Sequence, residues 1–167
     1  MKKEQILDSH EIEQKTRRMA YQIVEENYDE KEIILIGIKP NGFEYAQQLK
    51  REIEEIGNHS VILFELTINK SNPQSSDITL NNGSLSLNSK TIIVVDDVAN
   101  TGKTIYYALK PIMEYSPKKV QAAVLVDRQH KLFPVTADYV GLSLSTTLKE
   151  HISVEFNGKK KGKAYLV

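Results

Sequence analysis

Short apolar runs alternate with amphipathic stretches along most of this chain. The runs at 32–38, 60–68, 91–97 and 119–126 are dominated by Ile, Val and Leu and have the length of buried strands. Between them, apolar positions recur every three or four residues, which predicts helices. Strands that alternate with helices and are apolar throughout predict an α/β fold, with a mostly parallel central sheet flanked by helices.

Several predicted elements have recognisable ends. Asp8 and Glu11 have the spacing of a capping box at the start of a helix over about 9–28. The sequence KPNG at 39–42 predicts a turn, and the helix that follows it ends at Gly57. These helices connect consecutive strands, as a parallel sheet requires.

The remaining segments are interpreted as loops, one short strand and a terminal hairpin. Residues 69–89 are rich in Asn and Ser and have little periodicity, so a long loop is predicted there. A strand is predicted over 137–144, and the alternating tail from 152 predicts a hairpin around NGKKKG. No linker or internal repeat indicates a second domain, so residues 1–167 are predicted to form one domain.

Composition narrows the classes of function. Hydrophobic residues make up 40% and charged residues 26%, as in a soluble globular protein. The 22 basic and 22 acidic side chains cancel, whereas non-specific nucleic-acid binding calls for a basic surface. Without cysteine there is no disulfide or thiolate chemistry, and the histidines lack metal-ligand spacing. Because there is neither a membrane-length apolar run nor a signal-peptide pattern, we expect a cytoplasmic protein with no membrane partner.

The stretch VVDDVANTGKT, residues 94–104, contains the main candidate chemistry. Its GKT is typical of a triphosphate-binding loop, but such a loop needs a glycine five residues before Gly102, where Asp97 stands. Asp96 and Asp97 suit hydroxyl donors or a hydrated Mg²⁺. The turn at 101–104 opens a helix, and its backbone N–H groups and hydroxyls can hold one phosphate. A sugar phosphate therefore fits this spacing better than a nucleoside triphosphate.

The segment IIVVDDVANTGKT resembles the phosphoribosyl-pyrophosphate (PRPP) motif of the type I phosphoribosyltransferases. The segments LIGIKPNGFEYAQQL and AVLVDRQHKLFPVTADYVG are similar to those of pyrimidine-operon regulatory proteins, a branch with uracil phosphoribosyltransferase activity whose members often bind leader mRNA. The resemblance implies the type I phosphoribosyltransferase fold, with a C-terminal hood at about 127–167 and a flexible loop at about 68–88. It further implies transfer of the phosphoribosyl group to a nucleobase, with uracil favoured. Mg²⁺ would be held mainly through PRPP. The protein would form a homodimer or a larger homo-oligomer.

The same resemblance assigns roles to individual residues. In the family, the two acids hold the ribose hydroxyls and the turn after them holds the 5′-phosphate. The turn after the first strand binds pyrophosphate and often contains a non-proline cis peptide bond. The PRPP-binding residues implied are Lys39, Pro40, Asn41, Gly42, Asp96, Asp97, Ala99, Asn100, Thr101, Gly102, Lys103 and Thr104. Asp96, Asp97 and Arg128 are implied in catalysis, Arg128, Tyr139 and Val140 in base binding, and Lys70 in the flexible loop.

Departures from the family pattern bear on the base and on turnover. The 6-oxopurine branch usually has an Asp at position 100, which can take a proton from the purine, whereas Asn100 cannot act as a general base. Asn100 therefore favours a pyrimidine base or a regulatory function over hypoxanthine or guanine salvage. Asn41 stands where an Arg is usual, and Lys70 is the one basic side chain of the predicted flexible loop. Two arginine contacts to the departing pyrophosphate are therefore expected to be missing.

Two alternatives stay open. One is a 6-oxopurine (hypoxanthine or guanine) phosphoribosyltransferase with the same fold. The other is a non-catalytic, nucleotide-sensing, RNA-binding regulator, for which Arg17, Arg18, His130 and Lys131 are candidate contacts. Zero net charge instead favours a solvated helix face for the two arginines, and the lysines at 159–161 are interpreted as a solubilising turn.

Overall fold

The computed structural model describes residues 3–75, 77–147, 149–158 and 162–167. In chain order, its elements are β1 (Glu4–Leu7), α1 (Ser9–Glu26), β2 (Glu32–Ile38), α2 (Asn41–Ile56), β3 (Ser60–Thr67), β4 (Thr79–Asn81), β5 (Thr91–Ala99), α3 (Lys103–Ala108), a 3₁₀ turn (Ile112–Glu114), β6 (Lys119–Arg128), β7 (Tyr139–Leu144), β8 (Ile152–Phe156) and β9 (Gly162–Leu166). The predicted strands and first two helices are present, and the predicted long loop contains the short strand β4.

The central sheet has the strand order β4-β3-β2-β5-β6-β7. Its pairings are parallel, except that β4 runs antiparallel to β3. Helices α1 and α2 cover one face, and α3 covers the other. The predicted α/β fold with a mostly parallel sheet is confirmed.

Burial on both faces explains why the strands are apolar throughout. In β2, Ile33 and Leu35 belong to the core on the α1 and α2 face, while Ile34 and Ile36 belong to the core on the α3 face. Successive strand residues point to opposite faces, so a strand covered on both sides needs apolar residues at every position. The start of α1 is set by residues close to it in the sequence, because the predicted capping box between Asp8 and Glu11 is formed.

The order of the strands places a crevice between β2 and β5. From β2 the chain proceeds towards one edge of the sheet through β3, and from β5 it proceeds towards the other through β6 and β7. The segments leaving β2 and β5 therefore enter helices on opposite faces. Such a switch point, at the carboxyl ends of the strands, is where α/β sheets bind ligands.

A second sheet, with the order β1-β9-β8, forms the hood. The predicted terminal hairpin is confirmed, since β8 and β9 pair antiparallel from Ile152↔Leu166 to Phe156↔Gly162. Strand β1 was not predicted, because it is short and pairs with residues at the other end of the chain. The predicted hood boundary at 127 is wrong, as 127–128 and β7 belong to the central sheet. The lysines at 159–161 lie outside the described residues.

Across the described ranges, no helix combines the length and the apolar content needed to cross a membrane.

Candidate active site

A cavity of about 470 Å³ opens at the crevice between β2 and β5. It brings together nine of the predicted site residues and four residues that were not predicted. The predicted ones are Pro40, Asn41, Lys70, Asp96, Asp97, Asn100, Thr101, Lys103 and Thr104, and the others are Val98, Ile152, Ser153 and Val154. Ala99 and Gly102 line a small neighbouring cavity that shares Asp96 and Asn100 with the first.

The floor of the cavity is the carboxylate pair at the end of β5. Asp96 is 1% exposed and Asp97 7% exposed, and the backbone N–H of Asp97 donates to Asp96 Oδ1 at 3.0 Å. Burial and the adjacent Asp97 carboxylate raise the pKa of Asp96 to about 8, although Lys70 acts in the opposite direction. The charged form of Asp96 is therefore disfavoured, and the pair is stabilised by hydrogen-bond donors such as sugar hydroxyls.

Lys70 lies directly on this carboxylate pair. Its Nζ is 2.8 Å from Asp96 Oδ1 and 3.4 Å from Asp97 Oδ1. Burial disfavours the charged ammonium, but the carboxylates of Asp96 and Asp97 outweigh it, so the pKa of Lys70 is raised. Lys70 thus supplies the hydrogen bonds that ribose hydroxyls would supply in a complex with a sugar phosphate.

The turn after β2, residues 39–42, is called here the β2 turn. Its Lys39–Pro40 peptide bond is cis. The expected cis bond was one without proline, so this chain differs from that expectation. Lys39 Nζ lies 2.7 Å from Glu65 Oε2, and its side chain is 45% exposed. The side chain points to Glu65 and does not line the cavity, and its predicted contact with PRPP stays a prediction.

Two other residues of the β2 turn support the carboxylate floor. Asn41 Nδ2 donates to Asp97 Oδ2 at 3.0 Å and to the Val154 carbonyl at 2.9 Å, so it connects the floor to the hood. Gly42 packs under Asp96, since a Cβ at this position would lie 2.7 Å from the Val95 carbonyl oxygen and 2.8 Å from Asp96 Oδ1. A side chain there would push α2 away from β5.

The turn after β5, residues 99–104, is called here the β5 turn. Gly102 adopts φ +83°, a left-handed conformation that favours glycine. The N–H of Lys103 donates to Thr101 Oγ1 at 3.3 Å. In contrast, the N–H groups of Asn100, Thr101 and Gly102 donate to no other residue that the structure describes. Consecutive free N–H groups around a left-handed residue form a concavity suited to an anion.

Arg128 lies at the carboxyl end of β6, as predicted, but its guanidinium is used inside the hood. The residue is 6% exposed. Its Nη2 donates to the Thr147 carbonyl at 2.6 Å, and its Nε donates to Thr146 Oγ1. Arg128 thus holds the segment that leads from β7 to β8, and its predicted contact with base or pyrophosphate stays a prediction.

Tyr139 and Val140 do not line the cavity either, which corrects their predicted role in base binding. Tyr139 is 1% exposed, and its hydroxyl donates to Glu26 Oε2 at 2.8 Å. The Val140 carbonyl accepts from Arg18 Nη2 at 3.0 Å. Both residues begin β7, and the beginning of a parallel strand lies at the opposite edge of the sheet from the ends that bind ligands.

The wall of the cavity next to the β2 turn is instead an edge strand of the hood, β8, at Ile152–Val154. His151 and Val167 exchange both backbone hydrogen bonds at 2.8 Å. Because an antiparallel ladder alternates, the N–H and C=O groups of Ile152 and Val154 point away from β9. The contact between Val154 and Asn41 shows that this open edge faces the carboxylate floor. The sequence did not reveal this edge, because it predicted the terminal hairpin but not where the hairpin packs.

A larger cavity of about 500 Å³ lies between α3 and the beginning of β6. Apolar side chains such as Ile105, Leu109 and Val120 make up most of its wall, and none of the predicted site residues lines it. A phosphorylated ligand needs cationic or N–H donors, so the smaller cavity at the switch point is the candidate active site.

Among the residues that line the cavity, Asp96 and Asp97 are the ones with carboxylates that could bind a metal ion. Within the part of the chain that the structure describes, no group of three or more His, Cys, Asp or Glu side chains is arranged to hold a metal. Mg²⁺ usually keeps several waters and binds through one or two carboxylates together with substrate phosphates. Asp96 and Asp97 fit that arrangement, and the prediction that PRPP holds the Mg²⁺ stays a prediction.

Three of the candidate RNA contacts form interactions within the chain. Arg17 pairs with Glu52 at 2.9 Å, and Arg18 Nη2 donates to the Gly141 carbonyl at 2.7 Å. Lys131 donates to the carbonyls of Asn100 and Arg128 at 3.1 and 2.8 Å. These contacts give all three cations structural roles.

Comparisons with known proteins agree with this geometry. The sequence model of the phosphoribosyl transferase domain family matches residues 2–157 of this chain. Bifunctional protein PyrR from Bacillus pumilus is 37% identical over 161 residues, covering 91% of this chain and 89% of that protein. Bifunctional protein pyrR from Enterococcus faecalis is 34% identical over 161 residues, covering 93% of this chain and 90% of that protein.

Solved structures show the same fold at low sequence identity. A hypoxanthine-guanine phosphoribosyltransferase from Bacillus anthracis superimposes with a TM-score of 0.76 at 20% identity, covering 98% of each chain. The hypoxanthine phosphoribosyltransferase of Trypanosoma cruzi gives 0.77 at 16% identity, covering 96% of this chain and 95% of that one. The family match over nearly the whole length, the two close relatives and the switch-point site together lead to one conclusion: the chain belongs to the type I phosphoribosyltransferase family.

Proposed function

We propose that this protein transfers the phosphoribosyl group of PRPP to uracil and releases pyrophosphate. The observation that carries the proposal is the joint presence of the buried Asp96–Asp97 pair and the open N–H groups of the β5 turn in one cavity. The acids suit the ribose hydroxyls, and the turn suits the 5′-phosphate. One sugar phosphate can satisfy both.

The reaction needs no protein nucleophile. The bond between C1 of the ribose and the pyrophosphate oxygen breaks, positive charge develops on the sugar, and the N1 atom of uracil forms the new bond as it loses its proton. Mg²⁺, when bound, neutralises charge on the departing pyrophosphate. The residues of this chain hold the ribose and orient the base, which lowers the entropic part of the barrier.

The open edge of β8 supports uracil as the base. Along this edge, the backbone presents the Ile152 N–H, the Ile152 carbonyl and the Val154 N–H in that order. Uracil offers the complementary sequence O2, N3–H and O4 on its pairing edge. Guanine offers one acceptor followed by two donors, so its exocyclic amino group would meet the Val154 N–H. The side chains of Ile152 and Val154 are both buried in the core, which fixes this edge of β8 in position.

The sequence relatives support a role in pyrimidine metabolism, since they are named bifunctional PyrR proteins. The two purine phosphoribosyltransferase structures from Bacillus anthracis and Trypanosoma cruzi are 20% and 16% identical and support the fold alone. Asn100 lines the cavity without a group that can accept a proton at neutral pH. We therefore place uracil before hypoxanthine or guanine. A homodimer and a cytoplasmic location stay predictions.

A substrate panel tests the proposal. The protein is incubated with PRPP, Mg²⁺ and uracil, hypoxanthine, guanine or xanthine, and pyrophosphate release is measured. We expect release with uracil. Release only with a purine base would favour the 6-oxopurine alternative, and PRPP binding without release from any base would contradict the enzymatic proposal. Absence of PRPP binding would contradict the assignment of the cavity.

The regulatory alternative has a separate test. A regulator that binds RNA through cations would bind a pyrimidine-operon leader transcript with an affinity that falls steeply with salt concentration. The contacts of Arg17 and Arg18 within the chain give no support to these residues as RNA ligands. We expect Arg17→Ala to leave any leader-RNA affinity within about twofold, because Arg17 already pairs with Glu52 within the chain.

A further inference from the structure

The carbonyl groups of the first three residues of the β5 turn, Ala99, Asn100 and Thr101, all accept hydrogen bonds from one short segment, Lys131–Phe133. The Thr101 carbonyl accepts from the N–H groups of Leu132 and Phe133, at 3.0 and 3.1 Å. The carbonyls of Ala99 and Asn100 accept from Lys131 Nζ, at 3.5 and 3.1 Å. Three consecutive peptide groups of the turn are thus bonded to this segment, which is called here the rear clamp.

Lys131 is held in place by further contacts. Its ammonium also donates to the Arg128 carbonyl at 2.8 Å and forms an ion pair with Asp127. Its side chain is 26% exposed and that of Asp127 is 19% exposed, so both partners are largely shielded from water. All of these acceptors lie at the ends of β5 and β6, which are neighbours in the central sheet.

Peptide geometry connects the rear clamp to the ligand side of the turn. In a planar trans peptide, the C=O of one residue and the N–H of the next point in opposite directions. Fixing the carbonyls of 99, 100 and 101 therefore fixes the N–H groups of 100, 101 and 102. These are the N–H groups that donate to no other described residue.

We propose that Lys131 is a positioning residue for the phosphate site. It acts from behind the β5 turn by holding the carbonyls of Ala99 and Asn100, so that the amide groups are oriented for the 5′-phosphate of the sugar. The inference rests on the proposed function, because it assigns to the β5 turn the phosphate of PRPP. It gives Lys131 a role inside the enzyme in place of the RNA contact predicted from the sequence.

The test compares Lys131→Met, Lys131→Arg and wild type, with Lys110→Met at an exposed position as a charge-matched control. Ribose 5-phosphate is the binding probe, because it contains the phosphate and lacks both base and pyrophosphate. We expect Lys131→Met to weaken its binding and to raise KM for PRPP by at least about tenfold, with kcat changed less than about threefold. Lys131→Arg should restore most of the affinity, and Lys110→Met should behave as wild type.

The Asp127→Asn variant distinguishes positioning of the β5 turn by Lys131 from long-range attraction between Lys131 and the phosphate. It also tests the proposal if Lys131→Met does not fold. Removing this carboxylate makes the region more positive, so long-range attraction alone predicts tighter binding of ribose 5-phosphate. Positioning predicts binding about threefold weaker or more, because the ammonium loses its ion-pair partner. Unchanged or tighter binding by Asp127→Asn would overturn the proposal, as would unchanged binding by Lys131→Met.

The outcome for wild type distinguishes the two levels of inference. If wild type binds neither ribose 5-phosphate nor PRPP, the proposed function and the positioning role are both overturned. If wild type binds them and the Lys131→Met and Asp127→Asn variants bind equally well, only the positioning role is overturned.

Discussion

The two turns at the switch point contribute to the site in opposite ways. In the β2 turn, Lys39 and Asn41 use their side chains on Glu65, Asp97 and the hood. In the β5 turn, the backbone is bonded on its rear side, and its N–H groups are open on the side of the cavity. Under the proposed function, one turn therefore supports the site and the other binds the phosphate. Similar position in the fold does not imply a similar role.

The carboxylate floor, which both turns contact, gives the largest expected effect. Asp97→Asn removes a charge-assisted acceptor for a ribose hydroxyl while keeping the volume and the contact with Asn41. We expect kcat/KM for PRPP to fall by about 100-fold, which corresponds to the loss of one or two such hydrogen bonds. Steady-state pyrophosphate release checks this, with Asp29→Asn at an exposed position as the control. A fall of less than fivefold would remove Asp97 from the binding surface.

The supporting role of the β2 turn is tested at Gly42. Gly42→Ala places a methyl group within 2.7–2.9 Å of the Val95 carbonyl and of Asp96, where both neighbours are backbone or buried. We expect a loss of about 2 kcal/mol in the free energy of unfolding, as for other overpacked cores, measured by urea denaturation. Gln47→Ala, on the exposed side of α2, should stay within about 0.5 kcal/mol of wild type. Equal stability of both variants would show that α2 is free to move away from β5.

These two regions also differ in how far the sequence predicts them. Residues 91–104 contain a strand, its acids and its turn in one continuous segment, so the pattern alone located the floor and the β5 turn. The direction of the Lys39 side chain depends on Glu65, on the neighbouring strand β3. The open edge of β8 depends on pairing with residues up to 167. No local pattern contains such information.

Tyr139 is a different kind of error, because a signal was present. The sequence already predicted a strand beginning near this residue and a site at the carboxyl ends of parallel strands. Together these place Tyr139 at the edge of the sheet away from the site, where it is found bonded to Glu26. The sequence could not show that β8 of the hood lines the cavity, but it could have excluded Tyr139.

The buried floor should also make stability depend on pH. The folded-state pKa of Asp96, about 8, lies above the value of about 3.9 in the unfolded chain, so folding takes up a proton between these values. The contribution of this group is fully present below about pH 4 and is lost as pH rises towards 8, by up to about 1.4 kcal/mol per pH unit. Asp96→Asn should remove that slope and increase stability at pH 8 relative to wild type. Urea unfolding at pH 5 to 8 measures the slopes, with Asp29→Asn as the control, and equal slopes for Asp96→Asn and wild type would contradict the proton uptake.

The smallest effect is expected at Lys39, where it sharpens the contrast between the turns most directly. Family resemblance implies that Lys39 contacts pyrophosphate, and loss of such a contact would raise KM for PRPP about tenfold or more. In the structure, its ammonium lies on Glu65, and the pair is 45% and 30% exposed. We therefore expect Lys39→Met to change KM for PRPP less than about twofold and the free energy of unfolding by less than about 0.5 kcal/mol, as for other exposed ion pairs. Glu65→Gln breaks the same pair from the other side, so it should match Lys39→Met in stability and in KM. A rise in KM with Lys39→Met and not with Glu65→Gln would mean that Lys39 leaves Glu65 to bind substrate, and the β2 turn would then bind as well as support.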